Sequence, residues 1–361
     1  MSQIVTIKPS PKLKLIDNTF KFKIDGLGKE KIRLPRVIRR YGGKGSLYHL
    51  YEPFIRSLAS RAGASVFVDA FGGGGSMSIA ALLMDDFNTY KPLFNKVVYN
   101  DIEIGAATTF KVVKNWMACN ELVDRVLLTE YSEENFNKAH EVMQSITLLG
   151  KQYIESSGIS DIDIAYYNII ESCMSFNSIG ESYRDYLTEV CDFNSIDYEQ
   201  AMWRQAEGLL EVTPFLERME VHNGSYEKII NQYKNQRCVY LLDPPYFHDT
   251  RATSTGYKFE FSDEQHAQLL ELVTGYKFVT TKREDGRTEY IDLLPTGDPG
   301  LHNWIICGYD RSAQNNQMIR MYELLVEKVG IQKIDLGVHS RPSSNKEMRD
   351  TDPHEIAWIR W

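Results

Sequence analysis

No two cysteines in this chain are spaced to share a metal ion. The five, Cys119, Cys173, Cys191, Cys238 and Cys307, are odd in number, far apart and without a CxxC. That argues against both a zinc site and a disulfide framework, and it suits a reducing cytoplasm. His222, His248, His266, His302 and His339 show no ligand spacing such as HxxxH, so no metal is expected. The most apolar stretches are well short of a membrane span, and Met1 to Lys14 has no apolar core. Neither a membrane helix nor a signal peptide is expected. Internal repeats and low-complexity tracts are missing as well. The two Gly-rich turns, at Gly42 and Gly72, fit neither the GxxxxGK[ST] spacing of a P-loop nor the GxGxxG of a dinucleotide fingerprint.

Negative charge outweighs positive overall. The 361 residues carry a net charge of −8, with 43% hydrophobic and 25% charged residues. This is the composition of an ordinary globular protein, long enough for one large α/β domain with an insertion or for two domains. The distribution matters more than the total. Residues 1–46 hold twelve Lys/Arg against three Asp/Glu, a net of +9, so the remainder carries −17. A basic segment on an acidic body can hold a phosphate backbone. It can equally be a solvated hairpin with lysines along its edge.

The most informative stretch is Asp243-Pro244-Pro245-Tyr246. It follows Arg237 to Leu242, a short run of strand formers. A strand ending in an acid presents that acid at the carboxyl edge of a sheet, where open α/β sheets bind ligands. Two prolines fix φ twice and remove two N–H donors. Asp243 is pushed towards extended geometry by the proline after it. The product is a rigid corner with a carboxylate, free carbonyls and a flat ring. That combination suits a planar group bearing an exocyclic amine, although prolines also close strands for purely structural reasons.

A second strand signal, Ser65 to Phe71, runs through Asp69 into Gly72-Gly73-Gly74-Gly75-Ser76 and then the helical Met77 to Met84. Strand, glycine turn and helix form the arrangement that cradles nucleotides on helix N–H groups. Lys96 to Asp101 is the next strand and also ends in an acid. Asp101 is placed either to hold ribose hydroxyls or to cap a helix over Ile102 to Met117. Upstream, Arg39-Arg40-Tyr41-Gly42-Gly43-Lys44 combines a permissive turn with one lysine able to reach an anionic group, and residues 47–60 read as helix.

The periphery is less determinate. Residues 12–25 alternate around Asp17-Asn18-Thr19 and predict an N-terminal β-hairpin. Residues 121–216 are rich in helix formers and predict a mainly helical insertion, interrupted at Ser175 to Arg184, where Asn177 and Arg184 suit base contacts. Glu217 to Asn223 returns to strand and Tyr226 to Tyr233 to helix. Residues 247–261, with Arg251 and Lys258, form a long polar-aromatic loop beside the acid corner, a candidate clamp. Ser262 to Gln265 begins a helix to Val273 with a capping box. Lys277 to Thr281 is another strand. Lys333 to Val338 and Glu355 to Trp361 predict a terminal hairpin. Between them, Arg341, Ser343, Ser344 and Lys346 form a loop suited to phosphates.

Taken together and in this order, Gly42-Gly43-Lys44, Asp69 to Ser76, Asn100-Asp101 and Asp243 to Tyr246 resemble the Dam-type, D12 class N6-adenine DNA methyltransferases. Phe261 to Leu270 and Arg341 to Arg349 are similar to that family's later segments. The resemblance covers most of residues 38–110 and 220–361. It implies a Rossmann-like α/β sheet with helices on both faces (1–120 and 217–361), carrying 121–216 as a target-recognition insertion. It implies S-adenosylmethionine as cofactor, held by Tyr41, Gly43, Lys44, Asp69, Phe71, Gly72, Gly73, Gly75, Ser76, Asp101 and Asp243. It implies catalysis by Asp243, Pro244, Pro245 and Tyr246 on an adenine flipped out of double-stranded DNA. Arg39 and Arg40 join the loop residues above as expected DNA contacts. Arg40 stands where the family usually has an aromatic, with Tyr41 beside it. A monomer or weak dimer in a prokaryotic or phage-infected cell is expected. A cytosine N4 or RNA methyltransferase and a silent nucleic-acid binder remain the alternatives.

Overall fold

The computed structural model describes residues 34–40, 43–87, 89–175, 198–246, 261–284, 286, 288–310, 317–338 and 354–361. The expected hairpin over 12–25, Tyr41, Gly42, Asn177, Arg184, Arg251, Lys258, Arg341, Ser343, Ser344 and Lys346 lie outside the described residues.

The fold is α/β. Seven strands form one mixed sheet with helices on both faces. They are β1 (Val66–Asp69), β2 (Lys96–Asp101), β3 (Met219–Asn223), β4 (Cys238–Leu242), β7 (Trp304–Asp310), β8 (Gln332–Val338) and β9 (His354–Arg360). Their order is β3-β2-β1-β4-β7-β9-β8. β5 (Tyr276–Lys282) and β6 (Thr288–Pro295) form a separate antiparallel ribbon.

The chain forms two compact units. One comprises residues 1–49 and 72–226. In it, β2 pairs in parallel with β3, Val97 opposite Met219 and Asp101 opposite Asn223. The remaining elements here are helices: α2 (Ser76–Leu83), α3 (Ile104–Lys114), α4 (Trp116–Leu127), α5 (Glu133–Leu149), α6 (Lys151–Ser157), α7 (Asp161–Met174) and α8 (Tyr198–Val212). The helical block packs as a layered bundle, with α7 against α3 and α5, and α8 against α4. Met143, Ile146 and Ile164 make a buried cluster there, flanked by Ile104, Ile154 and Tyr167. The anticipated helix Ile102 to Met117 is two helices. Asn115, at φ −92° and ψ 113°, ends α3, and its side chain accepts from the Ala118 N–H to start α4. Asparagine competes well for such a cap and poorly for a helix interior.

The other unit comprises residues 50–71 and 227–361. It holds most of α1 (Tyr48–Ala62) and α9 (Tyr226–Tyr233), together with α10 (Asp263–Thr274) and α11 (Gln317–Val329). β1 pairs in parallel with β4, and β4 with β7. β9 then runs antiparallel to both β7 and β8. β4 is buried at all five positions, as its unbroken apolar sequence requires of a strand covered on both faces. The expected hairpin of β8 and β9 is present. α10 carries the anticipated capping box, Ser262 with Gln265, and ends on Gly275 in the left-handed conformation at φ 76°. Three elements, β6, β7 and α11, are not anticipated by the sequence pattern. β7 sits beside β4, while the Lys277 strand belongs to the ribbon.

Candidate active site

The unit holding residues 72–226 supplies a glycine turn and an acid. Gly72 donates its N–H to the Asn100 carbonyl at 2.8 Å, and Gly75 donates to the Gly72 carbonyl at 2.7 Å. A Cβ at Gly72 would lie 2.2 Å from the Tyr99 ring. At Gly75, with φ +73°, it would lie 2.1 Å from Phe110. Only glycine fits either place, because the ring behind the turn occupies the space a side chain needs. At Gly73 the situation reverses: a Cβ there would meet no described residue within 4 Å. The Tyr99 hydroxyl secures the turn from beneath by donating to the Gly73 carbonyl at 2.7 Å.

Asp101, at the carboxyl end of β2, holds this turn directly. Its Oδ2 accepts from the Gly73 N–H at 2.7 Å, and its Oδ1 from the Glu103 N–H at 2.8 Å. Glu103, not Asp101, is the N-cap residue of α3. Burial, and then the neighbouring Glu103 charge, push the Asp101 carboxyl up to about 6. The two N–H groups and the Arg40 guanidinium oppose that rise. Lys44 is buried in a short 3-10 turn, Lys44–Ser46, that follows Gly43. This turn lies against the start of α2, since a Cβ at Gly45 would sit 3.2 Å from the Ser76 hydroxyl. Gly43, Lys44, the Gly72 to Ser76 turn and Asp101 all belong to this unit, whereas Asp69, Phe71 and Asp243 belong to the other.

Arg39 and Arg40, expected as DNA contacts, point into the same unit. Arg39 donates from Nε to Gln205 Oε1 at 2.6 Å and from Nη2 to the Ala201 carbonyl at 2.9 Å, both on α8. Arg40 Nη2 lies 2.7 Å from Glu103 Oε2 and donates to Asn168 Oδ1 of α7 at 3.1 Å.

The other unit supplies the acid corner. β1 and β4 run in parallel with Asp69 opposite Leu241, and the Ala70 N–H reaches the Leu241 carbonyl at 3.3 Å. Two strands that end side by side at the same edge, each followed by an acid or carrying one, make a ligand crevice in open α/β sheets. Asp69 is buried and Asp243 is half-buried. Phe71, just past Asp69, meets Phe261 edge-on at 5.8 Å, and Phe261 meets His266 at 4.8 Å.

Tyr246 is buried, with only 5% of its surface exposed. Its ring meets Tyr309 edge-on at 4.6 Å, and its hydroxyl donates to Glu355 Oε1 at 3.4 Å. The same carboxylate oxygen accepts from the Tyr51 hydroxyl. Burial, then the Asp243 and Glu355 charges, hold the Tyr246 phenol well above its ordinary range, so it stays neutral. Glu103, Asn168, Tyr99, Tyr51, Tyr309 and Glu355 do not emerge from the sequence. Glu355 alone leaves a signal there, as the one acid inside the apolar run of the last strand.

Among the described residues, no cluster of His, Cys, Asp and Glu could hold a metal ion, and no helix is long and apolar enough to cross a membrane. The family sequence model for D12 class N6 adenine-specific DNA methyltransferase matches residues 41–293, more than half of the chain. No curated protein matches the chain. The span matched by the family contains both the glycine turn with its acid and the Asp243 corner, and the chain belongs to the D12 class of N6 adenine-specific DNA methyltransferases.

Proposed function

We propose that this adenine-specific DNA methyltransferase uses S-adenosylmethionine and acts on an adenine flipped out of double-stranded DNA. The observation that supports this reading is the pairing of β1 with β4, which ends two acid-bearing strands side by side at a sheet edge. Among the described residues none crowds the turn at Gly73, which is compatible with a ligand lying against it. Asp101 retains carboxylate lone pairs for ribose hydroxyls beyond its two backbone contacts. Asp69, Phe71, Gly72, Gly75 and Ser76 complete the cradle in this reading, with Gly43 and Lys44 at the amino-acid end of the cofactor. S-adenosylmethionine bound there would supply an electrophilic methyl group on a sulfonium sulfur.

The remaining work falls to the protein. An adenine amine inside a duplex is out of reach, so the base must be extruded. In the proposed mechanism Asp243 and the Pro244 carbonyl accept the two N–H groups of the amine. Holding both protons draws the nitrogen lone pair out of conjugation with the ring and leaves it nucleophilic. The Asp243 carboxylate would stabilise the positive charge that develops on that nitrogen and accept the proton the amine sheds once it carries the methyl group, passing it on to water. Pro245 keeps the corner rigid, and Tyr246 supports the base plane. Positioning supplies most of the rate, because no covalent enzyme intermediate is required. Residues 121–216 form the proposed target-recognition segment. Asn177, Arg184, Arg251, Lys258, Arg341, Ser343, Ser344 and Lys346 are the proposed DNA contacts.

Nucleoside mass spectrometry on DNA from a methylation-deficient host tests the reading, with an Asp243→Ala control. N6-methyladenine in the wild type alone is the expected outcome. N4-methylcytosine instead would change the base and keep the corner. Equal N6-methyladenine from the Asp243→Ala variant would remove the corner from the mechanism.

A further inference from the structure

Arg40 touches three separate segments of its own unit. Its guanidinium pairs with Glu103 at 2.7 Å and with Asn168 at 3.1 Å. Its stem lies over the glycine turn, where a Cβ at Gly74 would sit 3.6 Å from both Arg40 Cβ and Cγ. Asn168 is itself fixed, donating to Thr109 of α3 at 2.9 Å. The Glu103 backbone in turn donates to Asp101, whose other oxygen binds the Gly73 amide. Glycine turn, acid, N-cap residue, arginine and α7 thus form one connected polar network. With 15% of its side chain exposed, the arginine is poorly placed to meet a phosphate.

We propose that Arg40 is a positioning residue of the cofactor pocket, clamping the Asp101–Glu103 turn to α7, and that it does not contact nucleic acid. This rests on the reading of Asp101 as a ribose ligand. The electrostatics give the reason for a cation here. Asp101 from β2, Glu103 from the turn after it and Glu171 from α7 all act on the Arg40 guanidinium. Tyr99 of β2 acts on it too, and His140 of α5 reaches Glu171 at 3.1 Å. Burial disfavours the arginine's charge, but these neighbours outweigh burial and hold its pKa above the ordinary value. Without the cation, three carboxylates would face one another in a low-dielectric site. Glu103 would then turn away, and Asp101 would gain a proton more readily.

The test is calorimetric titration of S-adenosylmethionine into the full chain from acid to neutral pH, for wild type, Arg40→Met and Arg40→Lys. Binding of a DNA duplex across a salt series is measured alongside. Arg40→Met is expected to weaken S-adenosylmethionine by about tenfold, the equivalent of one charge-assisted hydrogen bond. Its pH midpoint for binding should move upward, a change that a merely structural role would not produce. Arg40→Lys keeps the charge but lacks the planar fork, so it should restore the wild-type midpoint and only part of the affinity. It also carries the test if Arg40→Met does not fold. The salt dependence of DNA binding should match wild type in both. Wild-type cofactor affinity and midpoint in the variants, with a shallower salt slope, would overturn the proposal and return Arg40 to the DNA. A wild-type chain that binds no S-adenosylmethionine would instead overturn the cofactor reading beneath it.

Discussion

Asp101 carries a pH dependence that can be worked out in sign. Its carboxyl is raised from an ordinary 3.8 to about 6 by burial and by Glu103. A group raised in the folded protein binds its proton more tightly there than in the unfolded chain, so its ionised form is disfavoured as pH falls through 6. Ribose hydroxyls donate to a carboxylate better than to a carboxylic acid. S-adenosylmethionine affinity should therefore fall as pH drops from 7 towards 5, and Asp101→Asn should be weak throughout and nearly flat with pH. Titration calorimetry at three or four pH values checks this, and an unchanged wild-type affinity at acid pH would exclude an ionised Asp101 from binding. Gly75 makes a second residue-scale case. Its left-handed φ and the Phe110 ring 2.1 Å from a would-be Cβ leave no room for alanine. Gly75→Ala should cost about 2–4 kcal/mol of stability in urea unfolding, part backbone strain and part overpacking. These positions are legible in the sequence as glycines of a turn. The rings that demand them, Tyr99 and Phe110, are not, because each contact joins residues far apart in the chain. Arg40 shows the same limit: Asn168 is 128 residues away from it.

Elements differ in how openly they announce themselves. β1, β2 and β4 are short runs of strand formers ending at or just before an acid, and each can be read as a strand from the sequence alone. β7 cannot. Trp304 to Asp310 mixes a cysteine and a glycine into a brief apolar run, and only pairing with β4 and β9 makes it a central strand. A Cβ at Gly308 would meet Trp358 of β9 at 2.7 Å, so glycine there admits a large neighbour from the adjacent strand. β9 supplies what the corner needs from a distance. Its Glu355 is buried and accepts from both Tyr51 of α1 and Tyr246. Glu355→Leu would take that acceptor from two buried hydroxyls, at about 1–3 kcal/mol for each. The expected result is a loss of about 2–6 kcal/mol in the unfolding free energy. Glu355→Gln, which keeps an acceptor, should lose less than half of that. Equal losses in the two variants would assign the effect to charge and not to the hydroxyls.

At the scale of the whole molecule, charge is unevenly divided along the chain. The chain as a whole is acidic, at −8, yet its first 46 residues carry +9. A duplex approaching an acidic body meets a repulsive field, which a basic segment offsets. Neutralising Lys12, Lys14, Lys21 and Lys23 to glutamine then has a defined consequence. Each phosphate that is no longer neutralised by a lysine takes about 0.9 from the slope of log affinity against log salt. The quadruple variant should bind DNA more weakly at low salt, with a slope shallower by up to about 4 units, while wild-type and variant affinities converge as salt rises. The weakening should be uniform across DNA sequences, because phosphate contacts position the protein without reading bases. S-adenosylmethionine affinity should be unchanged, since none of these four lysines is among the residues proposed to hold the cofactor. Fluorescence anisotropy with a labelled duplex over a salt series reads the affinity, the slope and the sequence dependence. An unaltered slope would mean that these lysines do not meet the duplex, and that the basic residues elsewhere carry it.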